Sequence, residues 1–136
     1  MATFEEIREF RNNNNKFASY LGIWTTEIRK GFAAGEMTVQ DYFENAVSSV
    51  HGGCIFALAD TIGGAAAASY GYRMTTVSGD FHYLSPAMEV KQLRAVAKEI
   101  KCGKRMFVCD VEIVSEQEKL IAKGTFSYYN LGVPLL

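Results

Sequence analysis

The sequence predicts an α+β domain: one long central helix wrapped by a curled antiparallel β-sheet, with a further helix at the N-terminus. Three observations carry this. The run from Val50 to Gly71, VHGGCIFALADTIGGAAAASYG, keeps its apolar and small residues at helical spacing. After Arg73 the pattern changes to alternation with a period of two. Thr3-Phe4-Glu5-Glu6 has the T-x-x-E form that opens a helix. A helix so rich in glycine and alanine buries little area per residue, but it can approach its neighbours closely. A sheet wrapped tightly around it is the natural arrangement.

Taken in order, the first helix starts at Phe4, with Phe4, Ile7, Phe10, Phe17 and Leu21 along one stripe; the polar run Asn12 to Asn15 either divides it or marks a surface turn. Ile23 to Val39 reads as short strands, with Gly31 and Gly35 as turn or bulge points. Asp41 to Val50 is a loop. In the central helix Ile55, Leu58, Ala59, Ile62, Ala65, Ala66 and Ser69 share a face, and Gly71 stops it. Thr75 to Leu84 alternates, with Val77, Phe81 and Tyr83 on one face and Ser78, Asp80 and His82 on the other. Ser85-Pro86 ends that strand. Val90 to Lys101, Arg105 to Ser115 and Lys119 to Tyr129 complete the sheet, with turns at Cys102-Gly103 and Glu116 to Glu118.

The 136 residues suit a single domain, 1–136, with a core of its own. A net charge of −1 with scattered Lys and Arg offers no basic field for nucleic acid or anionic lipid. Asp60 and the glycines interrupt the longest apolar stretch, which argues against a membrane span. No basic start precedes an apolar segment, so no signal peptide is expected. Cys54, Cys102 and Cys109 are odd in number and lack metal-ligand spacing, which suits reduced thiols in a cytoplasmic protein.

Asp60 is the only formally charged side chain between His51 and Arg73. A buried, unpaired carboxylate costs several kcal/mol (on the order of the penalty for an unpaired buried polar group), so it calls for a reason. The plain reading is an Asp that reaches solvent or a nearby backbone group. Against it stands His51-Gly52-Gly53, where glycines at a helix start leave backbone N–H groups uncovered for an oxyanion. Gly52 and Asp60 are eight residues apart, about 12 Å along a helix. They cannot act on one carbonyl from one chain, whereas two antiparallel copies related by a two-fold axis would bring Asp60 of one towards Gly52 of the other. Nucleophile-elbow, dinucleotide, Walker, C-x-x-C and H-E-x-x-H motifs are missing, and two histidines exclude a His-rich metal centre within one subunit.

NAVSSVHGGCIFALADT followed by TVSGDFHYLSPA resembles the hotdog-fold acyl-CoA thioesterases of the PaaI-like (phenylacetic acid degradation) branch, over nearly the whole chain. The resemblance implies a hotdog fold assembled as a homodimer or dimer of dimers (a homotetramer). It also implies hydrolysis of an acyl-CoA thioester without a metal or cofactor, coenzyme A entering as part of the substrate. It implies that Asp60 acts as nucleophile or general base and that the Gly52 N–H polarises the thioester carbonyl, with His51 and Gly53 shaping the turn. Asn45 matches the residue that positions thioester or water, and Ser78 a hydroxyl that orients water in some relatives. Relatives often carry Thr or Ser one turn after the acid; this chain has Gly64, which leaves that task to Ser78 or unfilled, and which could open the acyl pocket.

Family coenzyme A lies near the turn that is KCGKR here, which makes Lys101, Lys104 and Arg105 candidates for its phosphates, or an ordinary charged hairpin tip. Phe56, Tyr70, Tyr72, Phe81 and Tyr83 are candidates for the acyl pocket. His51 is read first as a capping residue, His82 as a polar residue at a dimer edge near the substrate, and Cys54 as packing. The alternative function is a hotdog protein that binds or senses acyl-CoA without turnover; a dehydratase acting on carrier-protein substrates fits HGGCIFALAD poorly.

Overall fold

The computed structural model describes residues 1–136. Helix α1 spans Phe4–Asn14, and its capping box is formed: Glu6 N donates to Thr3 Oγ1 at 3.1 Å, and Thr3 N donates to Glu6 Oε1 at 3.3 Å. Asn15 then ends α1 and caps α2, Lys16–Leu21, its Oδ1 accepting from Ala18 N at 3.1 Å. The asparagine run therefore divides the helix in two. Gly22, at φ +75°, turns the chain into β1.

Strand β1 (Ile23–Arg29) pairs with β2 (Phe32–Thr38) around Gly31, at φ +69°. Gly35 is neither turn nor bulge. It lies inside β2, where a Cβ would collide with Ile62 Cδ1 and stand 2.8 Å from Trp24 O, so the glycine lets the central helix press against the sheet. The bulge sits instead in β1, between Thr25 and Glu27. A short 3₁₀ turn, Asp41–Phe43, leads to α3, Gly52–Ala68. Strands β3 (Tyr72–Tyr83), β4 (Gln92–Cys102), β5 (Met106–Ser115) and β6 (Leu120–Pro134) follow; β6 runs past the expected end at Tyr129 and pairs Pro134 with Tyr72.

All pairings are antiparallel, in the order β1-β2-β4-β5-β6-β3. The predicted face of α3 is buried throughout, with Leu58, Ala59, Ile62, Ala65 and Ala66 fully enclosed by the sheet. Burying Ile62 contributes about 2 kcal/mol; the alanines contribute less and instead permit the close approach.

The two sheet edges differ. Along β1, Asn12 satisfies both backbone groups of Thr25, its Oδ1 accepting from Thr25 N and its Nδ2 donating to Thr25 O, each at 2.9 Å. On the other side β3 has only β6 as neighbour, and it is exposed along most of its length. A long bare edge is a template for another strand.

Candidate active site

Two features stand at separate places on α3. At its start, the loop before the helix is tied down by its own backbone: His51 N donates to Phe43 O at 2.7 Å and Val50 N to Ala87 O at 3.0 Å. Asn45 braces this loop, its Oδ1 accepting from Val47 N and Ser49 N and its Nδ2 donating to Ser49 Oγ at 2.9 Å. One amide hydrogen of Asn45 remains for a ligand. His51 is the cap, its Nδ1 accepting from Gly53 N at 2.8 Å, which places the ring proton on Nε2. The N–H groups of Cys54 and Ile55 both reach His51 O. Gly52 N–H alone in this turn has no acceptor. It borders a cleft of about 300 Å³ lined by Asn45, Gly52, Ile55, Tyr83, Leu84 and Pro86, among others. Tyr83 stands over the turn, its OH donating to Gly52 O at 2.8 Å.

Two turns along, Asp60 is half-buried rather than enclosed, and it is not alone. Thr76 Oγ1 donates to its Oδ1 at 2.8 Å, and Tyr128 OH approaches the same oxygen at 3.1 Å and Asp60 O at 2.9 Å. The expectation of a buried, unpartnered acid is corrected: two hydroxyls from β3 and β6 hold one oxygen and leave the other free. Burial holds the Tyr128 phenol far above its ordinary range, reinforced by the Asp60 charge.

Thr76 is the residue that strict alternation missed. By parity it belongs with Ser78 on the outer face. A bulge between Thr76 and Ser78 sets both Thr76 and Ser78 against successive β6 residues, Tyr128 and Ser127, and leaves Val77 unpaired and 57% exposed. Thr76 thereby joins the inner face with Phe81, while Ser78 stays outside with Asp80 and His82. Ser78 makes no hydrogen bond to Asp60 in its own chain, whereas Thr76 Oγ1 does. The signal was Gly79, a glycine inside a strand, where a Cβ would crowd Phe126 and Phe56 at 2.6 and 2.9 Å. Thr76→Val should lower turnover about tenfold with little change in melting temperature, and Ser78→Ala should leave turnover near wild type, both read by thiol release.

Gly64 is corrected as well. It opens no acyl pocket: a Cβ there would lie 3.2 Å from Arg11 Nη2 and 3.6 Å from Tyr128 Cε1, because these side chains already fill the space. Phe56, Phe81 and Phe126 form an aromatic cluster, with Phe56–Phe81 edge-on at 5.7 Å, between the Gly52 turn and Asp60. His82 is exposed beside Asp80 at 3.7 Å. Lys101, Lys104 and Arg105 are exposed at the β4–β5 hairpin, at the end of the sheet nearer Asp60, since Phe107 pairs with Tyr128 and Tyr128 with Thr76. Burial raises the thiol pKa of Cys54, and that of Cys109 to about 12, so neither is a nucleophile at neutral pH. Within one chain, Gly52 and Asp60 remain apart by the predicted helical rise of about 12 Å.

Tyr128 also sets an alkaline limit. Its folded-state pKa is raised, so the stability it contributes is fully present below the ordinary phenol value of about 10 and is lost as pH rises beyond it. Urea midpoints should fall more steeply above pH ~10 for the wild type than for Tyr128→Phe.

A family model described as the thioesterase superfamily matches residues 48–122. Acyl-coenzyme A thioesterase PaaI of Escherichia coli is 36% identical over 119 residues, covering 88% of this chain and 85% of that protein. The structure of the E. coli PaaI protein superposes with a TM-score of 0.92 at 30% identity, covering 96% of this chain and 95% of that one. The smu.793 protein of Streptococcus mutans, solved bound to acetyl CoA, gives a TM-score of 0.78 at 26% identity, covering 82% and 90%. With a sheet curled around one long helix and these relatives over most of its length, the chain belongs to the thioesterase superfamily, in the PaaI-like branch of hotdog-fold thioesterases.

Proposed function

We propose that the chain hydrolyses an acyl-CoA thioester to the free acid and coenzyme A, using Asp60 of one subunit and Gly52 N–H of its partner in a homodimer. The observation that carries this reading is the division of labour along α3: an N–H without an acceptor at the first turn, and a half-exposed carboxylate about 12 Å further on. Each is half of a hydrolytic site.

As general base, Asp60 takes a proton from water whose oxygen attacks the thioester carbonyl carbon. The oxyanion accepts from Gly52 N–H. When the C–S bond breaks, the electron pair leaves on sulfur, and the thiolate of coenzyme A takes the proton from Asp60. As nucleophile, Asp60 would form an acyl anhydride that water then cleaves. One oxyanion donor is worth about 3 kcal/mol and base catalysis about 10²–10⁴ in rate.

The bare β3 edge supports the dimer. Antiparallel pairing of two β3 strands with Thr76 opposite the partner's Tyr83 would set Asp60 of each chain beside the partner's Gly52 turn. Lys101, Lys104 and Arg105 would receive the coenzyme A phosphates, and Phe56, Phe81 and Tyr83 the acyl group. The test is free-thiol release from a panel of aryl- and alkyl-CoA thioesters. Release from at least one thioester is expected. A folded protein that binds these thioesters and releases none is an acyl-CoA binder without turnover.

A further inference from the structure

We propose that Arg11, from the N-terminal helix, is a positioning residue for Asp60: wedged between α1 and α3, its guanidinium holds the α3 backbone beside the acid and the Tyr128 ring that binds it. This rests on the reading of Asp60 as the catalytic acid.

Arg11 Nη2 donates to Thr61 O at 3.1 Å, the carbonyl next to that of Asp60. The same nitrogen lies where a Cβ on Gly64 would be 3.2 Å away, and a Cβ on Gly63 would collide with the Tyr128 hydroxyl. The two glycines thus admit two side chains, one from α1 and one from β6, directly behind Asp60. Each glycine weakens a helix interior relative to alanine. Arg11 is itself an unfavourable filler. Its Nε is sealed from solvent with no acceptor in the chain, and burial lowers the guanidinium pKa against the opposing pull of Tyr128 and Asp60. Arg11 is partly buried, and well-packed apolar residues commonly match a desolvated charge in stability, so stability alone does not call for arginine here. What Arg11 supplies is a fixed relation between Thr61, Tyr128 and the Asp60 oxygen that Tyr128 holds. It does not line the Gly52 cleft, so its effect belongs in the chemical step rather than in thioester binding.

The test compares Arg11→Met and Arg11→Lys with wild type in thiol release, each at a temperature well below its own melting point. Arg11→Met should lower kcat about tenfold or more with KM within about twofold, since displacing a catalytic group slightly costs rate. Arg11→Lys, which keeps the charge and a donor, should recover most of that loss. Turnover by Arg11→Met equal to wild type overturns the proposal. So does a loss confined to KM, an Arg11→Lys no better than Arg11→Met, or a failure of both variants to fold, which would assign Arg11 to stability. Asp60→Asn run alongside separates the two levels. If Asp60→Asn stays active, the reading beneath fails; if it is inactive while Arg11→Met is normal, only the Arg11 role fails.

Discussion

Asp60→Asn should keep the fold and lose a hundredfold or more of thiol release, mostly in kcat. The substitution is nearly isosteric, and the asparagine carbonyl can still accept from Thr76 Oγ1 and Tyr128 OH, the two donors that hold Asp60 Oδ1. Melting temperature should therefore move little. What disappears is the charge: an amide neither takes a proton from water nor attacks a thioester. Because the lost charge acts on the attacking water rather than in holding the thioester, KM should stay within a few-fold. A mutant as active as wild type would make Asp60 a structural residue that anchors β3 and β6 to α3.

The fold was legible because its signals are local or periodic. The capping box at Thr3, the helical face from Ile55 to Ser69 and the alternation from Phe107 to Ile113 all form as the residues dictate. Errors arose where the cause is non-local. Gly35 reads as a turn until Ile62 is brought against it across the domain. Thr76 changes face, while Ser78 keeps its own, because one unpaired residue, Val77, shifts the parity of β3 against β6, and strand parity amplifies a single insertion. Gly64 reads as open space, whereas Arg11, fifty-three positions earlier (64 − 11), fills it. At the site, the placement of Asp60 and the Gly52 turn on one helix was legible; the hydroxyls that hold Asp60 were not, since both come from strands.

The second large effect concerns Gly52, and it decides whether the site is shared between chains. Gly52 is the first residue of α3, where proline is well tolerated. His51, at φ −57° and ψ 133°, already has the extended backbone that must precede a proline. Gly52→Pro therefore removes the N–H while keeping the helix start, and it should lower turnover by about 10²–10³. Gly52→Ala adds the same Cβ, 3.2 Å from the Tyr83 ring, but keeps the N–H, so any excess loss in the proline variant is the donor's. The decisive step is to mix Gly52→Pro with Asp60→Asn, unfold and refold them together. If each site takes Asp60 from one chain and Gly52 N–H from the other, half of the random dimers are mixed and each holds one intact site, restoring about a quarter of wild-type activity. If each site were built within one chain, every chain in the mixture would carry a broken site and no activity would return. The roughly 12 Å between Gly52 and Asp60 along one helix is what favours the first arrangement for reaching a single thioester carbonyl.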